Sequence, residues 1–188
     1  MVYNLTDLRK ACEAGERYKY LFFWRPTPSA DGKITETCLG QWWMSDFTVD
    51  GITYSCAEQY MMAEKARLFG DAQMLQSILD AKHPKEMKAL GRAVRNFDKA
   101  VWDARCYEIV RTGNIYKFSQ NVQLWEFLAG TRKRILVEAS PRDRIWGIGM
   151  GAQNPDAQDP MKWRGKNLLG FALTEVRDLL EQAGGVPT

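Results

Sequence analysis

Hydrophobic positions change period several times along this chain, and each change marks an element. A short helix is predicted over residues 5–14, ended by Gly15, and residues 18–24 follow as a strand-like apolar run. Residues 25–40 read as loop, with the Asp31-Gly32 turn dipeptide placed to join two short strands. Phe47-Thr48-Val49 and Ile52-Thr53-Tyr54 flank Asp50-Gly51, the dipeptide that supplies positive φ to a two-residue hairpin turn. From Ser55 the spacing turns helical, with Ala57, Tyr60, Met61, Leu68 and Phe69 on one pattern closed by Gly70. Helices are expected at 71–81, 84–94 and 98–111. Gly113 weakens the end of the last of these, which leaves 114–119 as a separate turn. A further helix at 122–129, a strand at 134–139 and a long loop at 140–167 precede the final helix. That helix begins near Asn167 and buries Leu169, Leu173, Val176 and Leu180. The pattern describes an α+β, predominantly helical single domain with a small β element.

Composition narrows the chemistry. The 188 residues are 45% hydrophobic and 26% charged, which excludes a disordered chain, and no apolar run is long enough to span a bilayer. The first residues lack a basic stretch followed by an apolar run, so a secretory signal is not expected and a cytoplasmic location is. Cys12, Cys38, Cys56 and Cys106 form no Cys-x-x-Cys pair and read as reduced, mostly buried thiols. His83 is the single histidine, and before Pro84 it reads as a helix start. Zinc hydrolases draw on several such ligands, so no metal and no cofactor is expected. The net charge of +3 is mild and its basic residues are scattered along the sequence. That distribution does not argue for nucleic-acid binding, although it would help a pocket hold phosphate.

Three segments carry candidate chemistry. Glu58 and Lys65, seven residues apart, project from one face of the third helix with Met61 and Met62 between them, as on a helix that lines a pocket. Ser55-Cys56-Ala57-Glu58 is also a capping box, and spacing alone favours that reading of Glu58. Asp143-Arg144-Ile145-Trp146-Gly147-Ile148-Gly149 offers an acid, a stacking face and a backbone that can approach a ligand, or else a tight loop whose Trp146 plugs the core. The start of the last helix, Gly165 to Gly170, offers backbone amides for an anion, or a simple cap at Asn167. There are seven tryptophans. If Trp42 and Trp43 lie on a strand, one of them faces away from the core, toward a pocket.

Taken in order, Asp50-Gly51-x-x-Tyr54-Ser55-x-x-Glu58-Gln59-Tyr60-x-x-Ala63-x-Lys65, Gly91-Arg92, Trp102, Lys117-Phe118, Leu136-Val137-Glu138, Asp143-x-x-Trp146-Gly147-x-Gly149 and Gly165-x-Asn167-x-Leu169-Gly170 resemble the NADAR family of YbiA-like proteins over roughly residues 20–182. The family commonly has Leu-Ser-Asn-Phe where this chain has Leu39-Gly40-Gln41-Trp42, and His where Gln59 stands. The resemblance implies hydrolysis of an N-glycosidic bond in a phosphoribosyl or ADP-ribosyl small molecule. The substrate would be an early riboflavin-pathway intermediate or ADP-ribose on guanine, with ADP-ribosylated nucleic acid as a further partner class and no membrane. It implies Glu58, Lys65 and Asp143 as catalytic residues. It implies Trp42, Gln59, Tyr60, Trp102, Trp146, Gly147, Gly149 and Asn167 as substrate contacts. The alternative class is a non-catalytic module that binds an ADP-ribose-like nucleotide.

Overall fold

The computed structural model describes residues 2–27 and 29–185. In chain order the elements are α1 (Leu5–Glu13), β1 (Tyr20–Phe23), a 3-10 turn (Glu36–Leu39), β2 (Met44–Val49), β3 (Ile52–Cys56), α2 (Ala57–Leu68), α3 (Ala72–Asp80), α4 (Pro84–Arg92), α5 (Lys99–Ser119), α6 (Val122–Gly130), β4 (Ile135–Glu138), two further 3-10 turns (Pro155–Gln158 and Pro160–Lys162) and α7 (Leu168–Gln182). They form two compact units, one built from the chain up to Gly40 together with the chain from Val122, the other from Gln41 to Asn121. The α+β, mainly helical class read from the sequence is the class observed.

In the first unit β1 and β4 pair in parallel, with Tyr20 opposite Ile135 and Phe23 opposite Glu138. A two-stranded sheet leaves an outer edge of unpaired backbone groups, and buried edges must be satisfied by something else. Here α7 and the loop after β4 do so. The Leu136 N–H donates to Thr174 Oγ1 at 3.1 Å, and the Leu136 carbonyl accepts from Asn167 Nδ2 at 3.0 Å. The Glu138 N–H donates to Asn167 Oδ1 at 3.0 Å, and its carbonyl accepts from the Ile148 N–H at 2.9 Å. The Asn167 carboxamide thus replaces a neighbouring strand's peptide group. Gly170 allows this closeness, since a Cβ there would lie 2.1 Å from the Leu136 oxygen.

In the second unit β2 and β3 form the expected hairpin, and Asp50 (φ 50°) and Gly51 (φ 78°) both take the left-handed conformation that its turn requires. The central helix is α2, which packs against β3, α3, α4 and α5 and is buried on nearly every side. Tyr60 from α2 meets Tyr54 of β3 edge-on, ring centroids 5.2 Å apart. Two glycines admit the neighbouring helices: a Cβ on Gly91 of α4 would lie 1.9 Å from Met62 Sδ, and one on Gly113 of α5 would lie 2.5 Å from Tyr60 Cδ1.

Two expectations fail for physical reasons. Gly113 does not break its helix, and α5 runs unbroken for 21 residues. The modest propensity cost of glycine, about 1 kcal/mol, is outweighed by the ring packing that its missing side chain permits. Asp31-Gly32 joins no strands. Asp31 Oδ1 instead accepts from Ser29 Oγ at 2.8 Å and the Lys33 N–H at 3.3 Å, closing a local turn. All four cysteines are free thiols, and His83 caps α4 with Pro84 in its first turn, as expected. Among the described residues no helix is long and apolar enough to cross a membrane.

Candidate functional site

Glu58 lies in the first turn of α2 and is only 6% exposed. The capping box that would explain it does not form. The N-cap is Cys56, and the Ser55 N–H and hydroxyl both donate to Gln59 Oε1, at 2.8 and 3.1 Å. The Glu58 N–H donates to the Gln41 carbonyl at 2.9 Å. Gln41 Oε1 in turn accepts from Asn114 Nδ2 at 2.8 Å. Burial pushes the Cys56 thiol up to about 11, and the charges of Glu58 and Lys117 act on it with opposite sign. A buried carboxylate and the fully buried ammonium of Lys117 thus both lie within electrostatic range of the helix start. Charged groups are rarely buried unless paired or put to use.

Lys65 lies two turns along α2. Its Nζ donates to the Gly91 carbonyl at 2.8 Å and stands 4.3 Å from the Phe97 ring centroid and 5.4 Å from that of Trp102. Burial first, and then the nearby Arg92 guanidinium, lower its pKa from the ordinary lysine value. The close approach at Gly91 explains the Gly91-Arg92 pair: the glycine brings its carbonyl to the amine, and the arginine adds a like charge.

The remaining α2 candidates have structural work that the sequence did not reveal. The Gln59 carboxamide is fully engaged, because Oε1 serves Ser55 and Nε2 donates to the carbonyls of Ile78 and Leu79 at 3.0 and 3.1 Å. It ties the end of α3 to α2. Tyr60 is core, enclosed by Phe47, Tyr54 and Gly113. Trp42 is half-buried in the turn before β2, 5.8 Å from Lys88 Nζ, and not on a strand, so the argument from strand alternation does not apply to it.

In the first unit Asp143 organises the loop after β4. Its Oδ1 accepts from the Ile145 and Trp146 N–H groups at 2.9 and 2.8 Å, and its carbonyl accepts from the Gly149 N–H at 2.9 Å. Among the described residues Oδ2 makes no hydrogen bond, so one oxygen holds the loop and the other is available. Trp146 is half-buried beside it. The glycines approach protein backbone where a ligand had been expected. A Cβ on Gly147 would lie 2.8 Å from the Glu138 oxygen, and one on Gly165 would lie 2.2 Å from the Gly147 oxygen. Gly149 takes φ +69°.

The α7 N-terminus is also occupied. The N–H groups of Lys166, Asn167, Leu168 and Leu169 donate to the carbonyls of Arg144, Gly147, Ile145 and Trp146, at 3.0 to 3.2 Å. Those amides are therefore not open to phosphate. Asn167 is fully buried in the left-handed conformation (φ 54°), and its side chain serves β4 instead of capping the helix. Its place here is as the residue that positions the loop.

The model of the NADAR domain matches residues 22–181, from inside β1 to the end of α7. The chain belongs to the NADAR family. It is 47% identical to N-glycosidase R617 of Acanthamoeba polyphaga mimivirus over 129 residues, 69% of this chain and 76% of that one. It is 32% identical to N-glycosidase Npun_R5314 of Nostoc punctiforme over 145 residues, 74% of this chain and 88% of that one. The NMR structure of the E. coli protein YbiA has the same fold, with a TM-score of 0.71 over 90% of this chain and 89% of that one, at 23% identity. Within this NADAR chain, the sequence reading passed over Lys117 and Asn114 as site candidates. A lysine and an asparagine three residues apart on an otherwise apolar helix face were the available signal.

Proposed function

We propose that this NADAR chain is a metal-independent, cytoplasmic N-glycosidase that hydrolyses a ribosyl C–N bond in a phosphoribosyl or ADP-ribosyl substrate. Membership of the family and the names of its relatives support the reaction class. The observation that carries the reading to particular residues is the burial of Glu58 at a helix start whose capping is done by other groups.

Breaking a ribosyl C–N bond builds positive charge on the sugar and negative charge on the departing nitrogen. A carboxylate near the ring stabilises the first and orients water, as in two-carboxylate glycoside hydrolysis. Either Glu58 or Asp143 is the acid proposed for this work, and the unbonded Asp143 Oδ2 suits it. The departing nitrogen needs a proton. Lys65, its pKa lowered by burial and then by Arg92, gives up a proton more readily than an ordinary lysine, and in its neutral form it can add to the opened sugar's aldehyde carbon, the carbonyl oxygen leaving as water to give an imine. Both roles fit it better than permanent anchorage of phosphate. Trp146, or else Trp42, supplies a flat face for the base.

The test is to incubate the purified protein separately with a riboflavin-pathway ribosylaminopyrimidine phosphate and with guanine-linked ADP-ribose, and to follow release of ribose phosphate or ADP-ribose. Glu58→Gln and Asp143→Asn are each expected to lower turnover at least about tenfold with the fold intact, as expected for groups acting on a charged transition state. Near-normal rates in both variants would remove the assignment. Activity lost to EDTA and restored by a divalent ion would remove the metal-independent claim. Binding of either compound without turnover would mark a non-catalytic module.

A further inference from the structure

Five cations that are dispersed in the sequence converge in the first unit on a cavity of about 870 Å³. Arg17, Tyr18 and Lys19 form one wall and Arg132, Lys133 and Arg134 the other. The parallel pairing of β1 and β4 produces this convergence. Tyr20 is paired with Ile135, whose N–H donates to the Lys19 carbonyl at 2.9 Å, so the residues just before each strand run side by side. Parallel strands enter from the same end, which brings two basic stretches more than one hundred residues apart in sequence to one edge of the sheet.

Three observations show that this groove is more than a solvated face. Among the described residues none of the five cations has a carboxylate partner, although the chain holds 23 acidic residues. The groove's five positive charges exceed the +3 of the whole chain, so everything outside it sums to −2. Arg132 takes the left-handed conformation at φ 53°, unfavourable for arginine, and Arg134 is braced by bonds to the carbonyls of Thr131 at 3.0 Å and Gly130 at 3.2 Å. The groove precedes β4, whereas the Asp143 loop follows it, so it lies at the other end of the strand from that candidate acid.

We propose that this groove binds the phosphate backbone of single-stranded nucleic acid. A row of unpaired cations fits a repeating phosphate chain, and Tyr18, half-buried with its hydroxyl tied to Glu16, presents a ring on which a base can stack. An acidic peptide would match the charge and leave the ring without a purpose. The inference is independent of the N-glycosidase reading.

The test uses the full chain and a fluorescein-labelled oligothymidylate of about 15 nucleotides, with anisotropy read as salt is varied. If all five cations meet phosphates, log K falls against log salt with a slope of about −3.5, from about −0.7 per phosphate on a single strand. Arg132→Asn with Lys133→Gln is expected to reduce the slope by about 1.4, and Arg17→Gln with Lys19→Gln to do the same. Asparagine is chosen because it tolerates the left-handed conformation. Tyr18→Leu is expected to weaken binding with the slope unchanged. Circular dichroism establishes that each variant is folded, and turnover of a small phosphoriboside, unchanged in all of them, keeps this question apart from catalysis. No binding at about 50 mM salt, a slope untouched by either pair, or equally tight binding of polyglutamate would overturn the proposal.

Discussion

At the scale of single residues, the decisive quantity is how much freedom each polar side chain retains. Gln59 and Asn167 have every amide group committed to backbone partners, and their roles are architectural. Asp143 has one oxygen committed and one available, and Lys65 has one hydrogen bond and two aromatic neighbours. Lys65 therefore yields a pH prediction. Its folded pKa lies below the ordinary lysine value, so the fraction of neutral amine rises with pH through a midpoint under 10.5. If the neutral amine reacts, kcat measured from pH 6 upward, over the range about lysine titration, climbs along that limb. Lys65→Arg, which keeps the charge and cannot release its proton, abolishes the climb. An arginine variant with wild-type turnover and the same profile would make Lys65 a simple anion anchor.

At the scale of elements, the first unit depends on side chains that complete a sheet of two strands. Asn167→Ala strips the Glu138 N–H and the Leu136 carbonyl of their partners and places alanine in the left-handed region. Each buried group left unsatisfied costs about 1–3 kcal/mol, and the backbone adds about 1 kcal/mol. The variant should lose at least about 3 kcal/mol in urea unfolding, and a loss under about 0.5 kcal/mol would refute the edge role. Glycines yield a rank order. In Gly91→Ala the new Cβ meets the flexible end of Met62, which can rotate, at a cost of about 1–3 kcal/mol. In Gly165→Ala it meets the backbone at Gly147 and Arg144, which cannot. Gly165→Ala should therefore be the more damaging of the two by melting temperature, and equal losses would contradict the packing argument.

At the scale of the whole molecule, charge is where the folded chain departs most from its sequence. The sequence isoelectric point is about 8.6, so above it the chain as a whole carries net negative charge. The five cations of the groove are a local surplus that the net charge does not register, and the Tyr18 hydroxyl, raised to about 12 by its hydrogen bond to Glu16, remains neutral. Oligonucleotide binding should accordingly persist at a pH about one unit above the isoelectric point. Binding that vanishes as the net charge changes sign would mean that overall attraction, and not the groove, is responsible.

Most elements were legible from periodicity because their signals are local: the Asp50-Gly51 turn, the His83-Pro84 helix start, the glycine stops and the apolar face of α7 all lie within a few residues of what they control. The ordered set of motifs that carried the family resemblance belongs to the same category. The uses of Gly113, Gly147 and Gly165 were not legible, because a glycine's cost is intrinsic while its benefit depends on which ring or carbonyl the fold presses against it. Nor were the tasks of Gln59 and Asn167, whose partners lie on α3 and β4, or the loss of the Glu58 capping box once Cys56 becomes the N-cap. The basic groove depended on tertiary structure most of all. Its two halves are far apart along the chain, and a parallel strand pair, formed by hydrogen bonds that leave no mark in residue type, aligns them at one edge.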